Sequence, residues 1–481
     1  MHWQPVIGLE IHVQLNTKTK LFASSPNRFG DEPNTNISVV CTGQPGTLPK
    51  LNKEAVDKAI RLGLALGSEI SQISTFDRKS YFYPDSPRNY QITQFHKPII
   101  VGGTVEATVK GEKKSFGIKS AHLEDDAGML KHFTNFAGVD YNRAGSALIE
   151  IVSLPCIHSA EEAVAYAMAL RELMIHLDIT DGNMEEGSLR MDVNISVRPL
   201  GNHELRNRIE IKNVNSFSFM QMAIEAEVRK QVAAYTAMPD KSWDEIIPRA
   251  TYRFDTEKKE TVLMRTKDSI DDYRYFPEPD LPPLHVSSDH VRHIQKHLPE
   301  LPWARRNRYS SEYALSEQVV ETLLSDPKLC RFFDRCLELC PHPKSLITWI
   351  LSEFQGRLKE INKTFETAHI TPEQVAELVL LIETKKINGK IGKTVADMML
   401  IDPHKSPSQI VAENEHLRPM TDTGSLETIV NQVLEANPQS IIDFKNGKDK
   451  AFAFLVGQVM KLTKGTASPE LVNQLLKDKM N

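Results

Sequence analysis

The sequence predicts an α+β protein: a mostly antiparallel-sheet cradle domain with flanking helices over residues 1–292, an all-α domain over 293–405 and a small α-helical tail domain over 411–481. Three observations carry this. Segments of apolar–polar alternation recur before about residue 290, and a period of two belongs to half-buried strands. Beyond that point the apolar spacing is almost wholly helical. A length of 481 residues also exceeds what one core organises, so two or three domains are expected.

The first strand reads V-I-G-L-E-I-H-V-Q-L from Val6, with Ile7, Leu9, Ile11, Val13 and Leu15 on one face and Gly8, Glu10, His12 and Gln14 on the other. A helix follows from about Lys53 to Leu66 behind Asn52 as N-cap. A second begins at Ser159 and Glu162, in capping-box spacing, and carries Tyr166, Leu170, Leu173, Met174 and Leu177 as one stripe. Alternation returns in L-R-M-D-V-N-I-S-V-R, where Arg190, Asp192, Asn194, Ser196 and Arg198 oppose the apolar set. It returns again in R-I-E-I-K, where Arg208, Glu210 and Lys212 face away from Ile209 and Ile211. A third helical stripe holds Met220, Ile224, Val228, Gln231, Val232 and Tyr235. F-P-E-P-D-L-P-P-L, residues 276–284, has four prolines in nine residues and predicts a rigid, exposed loop. A break between Asp402 and Gly424, marked by Pro403, Pro407 and Pro419, sets off the tail.

Hydrophobic content of 40% and charged content of 25% are ordinary for a soluble protein, and no apolar run is long enough for a membrane span. The alternating N-terminus is unlike a secretory signal, so a cytoplasmic protein is expected. Five cysteines in a chain this long do not make a disulfide framework. Cys330, Cys336 and Cys340 sit among Phe332, Phe333, Leu337 and Leu339 and read as buried thiols rather than a metal site. With a net charge of -5, any nucleic-acid contact must come from a local patch. From Phe444 to Asn481 seven lysines stand against three acids, which describes such a patch or a solvated helix face.

Alternation alone is what any antiparallel sheet with one wet face shows. Glu150 is different, because A-L-I-E-I-V sets its carboxylate between Leu148 and Val152. There it must be paired, protonated or bound to a cation. H-L-E-D-D, His122 to Asp126, adds three consecutive acids. Oxygen ligands with one imidazole suit a hard divalent ion such as magnesium, so Glu10, His12, Glu124 and Glu150 form a candidate metal cluster. Arg190 and Arg208 are of the type that neutralises phosphate.

These residues fall in strings that resemble, in order, one family. The strings are V-I-G-L-E-I-H-V-Q-L, K-S-Y-F-Y-P-D, Y-Q-I-T-Q, H-L-E-D-D-A-G, N-R-A-G, L-I-E-I-V-S, D-G-N-M-E-E-G-S-L-R-M-D-V-N-I-S-V-R, E-I-K-N-V-N-S-F and D-Y-R-Y-F-P-E-P-D-L-P-P-L, followed by N-G-K-I-G-K and F-L-V-G-Q-V-M-K. The family is the B subunit of the heterotrimeric amidotransferases that make Gln-tRNA and Asn-tRNA from Glu-tRNA(Gln) and Asp-tRNA(Asn). The resemblance implies ATP- and Mg2+-dependent phosphorylation of the attached side-chain carboxylate, then displacement of phosphate by ammonia. It implies a metal role for Glu10, His12, Glu124 and Glu150 and a catalytic one for Lys79, Arg190 and Asp192. Tyr81, Asp85, Asn194, Arg208 and Lys212 fall to nucleotide and substrate binding, and Lys390, Lys393, Lys445, Lys448, Lys450, Lys461 and Lys464 to tRNA. The chain carries no glutamine-hydrolysing motif, so ammonia is expected from a partner amidase, the heterotrimer's glutaminase subunit, with a small third subunit strapping the complex together. Neither membrane nor DNA is expected as a partner. The alternative is a tRNA-binding scaffold without chemistry, which would gain nothing from a costly cluster of acids.

Two departures from the family pattern stand out. Relatives often hold zinc with four early cysteines, whereas the positions here are Ala23, Ser25, Ser38 and Cys41, so no zinc is expected. Where the family usually has S-E-P, this chain has Ser153, Leu154 and Pro155. N-G-K-I-G-K-T, from Asn388, lacks the first glycine of a phosphate-binding loop and follows a helix, so it is not one.

Overall fold

A computed structural model of the chain describes residues 2–266, 273–417, 423–445, 448–463 and 467–480. The chain divides into two units, Met1–Arg305 and Arg306–Asn481.

In the first unit one sheet is built from β1 (Trp3–Gln14), β2 (Glu69–Ile70), β3 (Ile100–Val101), β4 (Thr104–Val109), β5 (Glu112–Asp125), β6 (Ala147–Ser153), β7 (Leu189–Pro199), β8 (Ile209–Val214), β9 (Ala250–Asp255) and β10 (Glu260–Thr266). Its order is β10-β9-β8-β7-β1-β6-β5-β3-β2, with β4 paired to β5. Helices α1 (Lys53–Ala65), α2 (Ala160–His176) and α3 (Phe217–Ala237) join it. The β8–β9 pair is parallel, and α3 lies in the crossover that a parallel pair requires. The other pairs named are antiparallel, as expected.

The apolar face of β1 is fully buried at Ile7, Leu9, Ile11, Val13 and Leu15, each worth about 1.5–3 kcal/mol. It shares its core with the stripes of the three helices. Asn52 caps α1 by accepting from the Glu54 N–H at 2.9 Å. Ser159 caps α2 by accepting from the Glu162 N–H at 3.1 Å. The Glu162 carboxylate answers one residue earlier than a reciprocal box would, accepting from the His158 N–H at 2.7 Å and from Lys114 at 2.8 Å.

The polar face of the sheet is only partly exposed. Asp192, Asn194 and Glu210 on β7 and β8 are buried, as is Glu124 on β5. Part of the cover at β5 is a hairpin of Asp77–Ser80 and Tyr90–Thr93. The proline-rich segment is likewise more than an exposed loop. Phe276–Pro277 pairs with Asp77–Ser80 and Leu284–His285 with Ile73–Ser74. Between them the buried Glu278 takes Arg78 Nε at 2.7 Å and Nη2 at 2.9 Å. All four prolines stay exposed, as the sequence predicts.

The first core also runs past residue 292. Helix α4 (Ser288–Lys296) buries Ile294 in it, Leu298 and Leu301 pack against it, and His290 Nε2 meets Asp57 at 2.6 Å. A boundary at 292 therefore cuts a helix that belongs to the first unit. The second unit is helical and holds two apolar clusters, Tyr309 to Leu417 and Leu426 to Met480. Ile410 and Leu417 belong to the former, so the tail core begins after 417 rather than at 411. Cys330, Cys336 and Cys340 are fully buried there. N-G-K-I-G-K-T opens the helix Gly389–Ile401: Asn388 accepts from the Ile391 N–H at 3.0 Å. A Cβ at Gly392 would stand 2.7 Å from Ile382 and 3.0 Å from Trp349, so this glycine serves helix packing.

Two outcomes follow from these contacts. Arg78→Ala strands the Glu278 carboxylate, and since Arg78 keeps 19% exposure the cost should sit near the low end for a broken buried pair, about 3 kcal/mol, read by thermal unfolding and by new proteolysis within 276–285. Glu227 on α3 is buried beside the Thr261 hydroxyl and the Gln231 amide, and burial pushes its pKa above the usual carboxylate range. The folded chain then holds a proton that the unfolded chain releases, so stability falls as pH rises from the unfolded carboxylate range through the folded pKa. Glu227→Gln should raise the unfolding temperature at pH 8, with the gain vanishing near pH 4.

Candidate functional site

Register assembles the site. His12 on β1 pairs with Glu150 on β6 and with Arg190 on β7, and Glu150 pairs with His122 on β5. Directly opposed residues project to one face, so Arg190, His12, Glu150 and His122 form a single row across four strands. Glu10 opposite Asp192 starts the next row, and Asn194 donates to Glu10 at 2.8 Å. His12 Nδ1 lies 3.2 Å from Glu124 and 3.8 Å from Glu150, while its Nε2 lies 4.0 Å from Asp192. His122 Nε2 lies 3.7 Å from Glu124 and 3.5 Å from Glu150. Two groups can each offer three ligand atoms within 4.8 Å of one another: Glu10, His12 and Asp192, and His12, Glu124 and Glu150.

The charges are strongly coupled. Burial, which alone would lower the imidazole pKa, is outweighed at His12 by Glu150, Glu124 and Asp192, which raise it to about 9. The same balance at His122, against Glu150 and Glu124, reaches about 10. Burial raises Glu124 and Glu150, yet the two imidazoles still hold both below the usual carboxylate range. Glu10 is pushed up, first by burial and then by Glu150 and Glu210. The predicted metal set of Glu10, His12, Glu124 and Glu150 is thus brought together, and Asp192, read from sequence as catalytic, joins it. Four carboxylates with an imidazole make an oxygen-rich donor set that fits a hard divalent cation.

Around this set, Lys212 reaches Asp192 and Glu210, each at 3.3 Å, and these acids overcome burial to raise its pKa. Lys79 lies 5.0 Å over the Tyr273 ring, and Glu124 and Glu150 likewise outweigh burial to raise it. Tyr81 is raised by burial and by Asp85, which shares its hydroxyl. Arg208 is a miss. β8 begins at Ile209, opposite Ile195, so Arg208 falls beyond the ladder and is exposed. Leu154 lies past a bulge at Val152/Ser153 and packs on Gly117, outside the cluster.

Three residues were overlooked as individuals. His122 and Asp126 stand within H-L-E-D-D, and Arg143 within N-R-A-G. Asp126 accepts from both Arg143 Nε at 2.5 Å and Arg190 Nη2 at 2.7 Å. Among the predicted tRNA contacts, Lys390, Lys393, Lys445, Lys448, Lys450 and Lys461 are exposed in the second unit. Lys393 pairs with Glu353 at 2.8 Å and Lys448 with Asp443 at 3.2 Å. Lys464 lies outside the described residues.

The early loop gathers Ser25, Ser38 and Cys41, and Lys20 fills the space among them. Its fully buried ammonium lies 3.6 Å from Cys41 Sγ and donates to the Ala144 carbonyl at 2.6 Å. Ser38 and Ser25 hydroxyls approach the same sulfur at 3.3 and 3.6 Å. One thiol, two hydroxyls and an ammonium do not fit zinc.

Residues 5–292 match the GatB/GatE catalytic domain family and residues 331–480 the GatB domain family. The chain is 58% identical over 478 residues to the B subunit of the aspartyl/glutamyl-tRNA(Asn/Gln) amidotransferase of Protochlamydia amoebophila, covering 99% of this chain and 97% of the relative. It is 56% identical over 474 residues to the proteins of that name from Chlamydia pneumoniae and Chlamydia caviae, covering 98% of this chain and 97% of each relative.

If Lys20 ties the early loop as the contacts indicate, elemental analysis of the purified chain should find no stoichiometric zinc. Lys20→Met should cost about 2 kcal/mol through the carbonyls and thiol it strands. Stoichiometric zinc, or an unchanged unfolding temperature, would refute this account of the loop.

Proposed function

Because the chain belongs to the B-subunit family of the aspartyl/glutamyl-tRNA(Asn/Gln) amidotransferases, we propose that it performs the activating half of the reaction. A phosphoryl group passes from ATP to the side-chain carboxylate of Glu-tRNA(Gln) or Asp-tRNA(Asn). Ammonia then attacks the acyl phosphate, forming the amide and releasing phosphate. A carboxylate is a poor acyl donor and an acyl phosphate a good one, so the ATP step is what makes amidation feasible.

The observation that supports this reading is the meeting of two acidic triads at His12. Glu10, His12, Glu124, Glu150 and Asp192 would hold magnesium, which supplies charge neutralisation on phosphate oxygens. Lys79 and Arg190 present positive charge at the rim of this set, and Lys212 holds Asp192 in place. Burial of the acids keeps the site in a low dielectric, where such charges act most strongly on a transferring phosphoryl group.

On this reading ammonia comes from a separate amidase subunit, the small third subunit completes a cytoplasmic heterotrimer, and exposed lysines of the second unit touch tRNA. No described helix is long and apolar enough to cross a membrane. The test is phosphate release from ATP in the assembled complex. Glu150→Gln keeps the shape of the side chain and removes its charge, and should cut release dependent on Glu-tRNA by about 100-fold, while the partner still hydrolyses glutamine. Wild-type release in that variant would remove the cluster from the mechanism.

A further inference from the structure

We infer that Arg143 and Arg190 form an oxyanion site at the border of the acidic cluster, where they grip the phosphoryl group during transfer. This rests on the activation reading above and adds to it a second guanidinium that the site's motifs did not single out.

Both guanidiniums bond to the same atom, Asp126 Oδ2, through Arg143 Nε and Arg190 Nη2. One carboxylate therefore serves two cations. Arg143 Nη2 and Arg190 Nε are each buried without a hydrogen-bond partner. A charged donor left unmade in the interior is costly, and two of them on neighbouring forks call for an acceptor with several oxygens.

The other acids in electrostatic range do not fill that need. Glu124 and Asp192 raise the pKa of Arg190 after Asp126 does, but they engage His12, His122 and Lys212. Asp85 acts on Arg143 through charge only, and its own Oδ1 is buried without a partner.

Position supports a reacting oxyanion. Arg190 stands opposite His12 in the ladder, and Asp126 follows Glu124 by two residues, so the pair adjoins the proposed cation set. Arg143 arrives on a tight turn, closed by the Ser146 N–H on its own carbonyl at 2.9 Å. Gly187, at φ +77, sets bare backbone beside its Nη1. Planar forks held by a shared carboxylate match phosphate or carboxylate oxygens, which a lysine could not do bidentately.

The oxyanion has two sources, the phosphates of ATP and the side-chain carboxylate of the aminoacyl group, and kinetics on the assembled complex separate them. Wild-type release of phosphate dependent on Glu-tRNA first establishes the underlying reading; its absence would sink that reading whatever Arg143 does. With it in hand, Arg143→Gln should lower kcat by about 100-fold and raise the KM for ATP while leaving that for Glu-tRNA alone. A raised KM for Glu-tRNA alone would keep the oxyanion site but assign it to the carboxylate, overturning the phosphoryl assignment. Asp126→Asn should shift the same parameter as Arg143→Gln, because it acts by orienting the two forks. Added guanidinium should restore part of the activity of Arg143→Gly. Unchanged kinetics with only a lowered unfolding temperature would overturn the site and leave Arg143 as a structural partner of Asp126.

Discussion

Everything in the cradle depends on the register of β1 between β6 and β7. That ladder sets His12 against Glu150 on one side and Arg190 on the other. A slip of one residue would carry Glu10 and His12 into the apolar core and Ile11 onto the polar face, so the same pattern that builds the hydrophobic core also fixes the site. The two faces are therefore not independent. Burial of Ile7, Leu9, Ile11, Val13 and Leu15 enforces a register in which acids and imidazoles must meet.

Such a meeting carries a cost that the fold has to offset. Glu124, Glu150, Glu10 and Asp192 lie close together with little water, and without compensation like charges there would disfavour folding. In the protein alone, protons on His12 and His122 supply part of the balance, with Lys79, Lys212 and Arg190 at the rim. The surrounding carboxylates draw both imidazoles toward their charged form.

How much of this could be read from the chain depends on the range of each relationship. Local ones were legible: the period of two in β1, the caps Asn52 and Ser159, and the need of Glu150 for a partner all follow from neighbours in sequence. The identity of that partner was not, because His122 reaches Glu150 only through pairing of β5 with β6. Arg78 and Glu278 lie 200 positions apart, so proline content alone made 276–284 look exposed. Arg208 precedes the first residue of its strand and is exposed, and alternation carries no signal for where a ladder stops. Asp126 and Arg143 were hidden in motifs whose function lies in side-chain geometry. The tail boundary failed for a similar reason, since Pro407 starts the helix that buries Ile410 instead of ending the domain.

The early loop shows how one buried ammonium can tie several backbone and side-chain groups together. Holding Ser25, Ser38 and Cys41 to the turn at 141–144 requires a centre that several oxygens and one sulfur can share. Lys20 meets that need with an ammonium donating to the carbonyls of Ala144 and Tyr141 and approaching Cys41. Gly145 beside them is favoured by its backbone conformation, at φ +83, rather than by space. Burial lowers the pKa of Lys20 while Cys41 raises it, and Cys41 is held below its usual range because Ser38 and Lys20 outweigh burial. The N-R-A-G turn that delivers Arg143 to the cluster is therefore anchored by Lys20 on its other side.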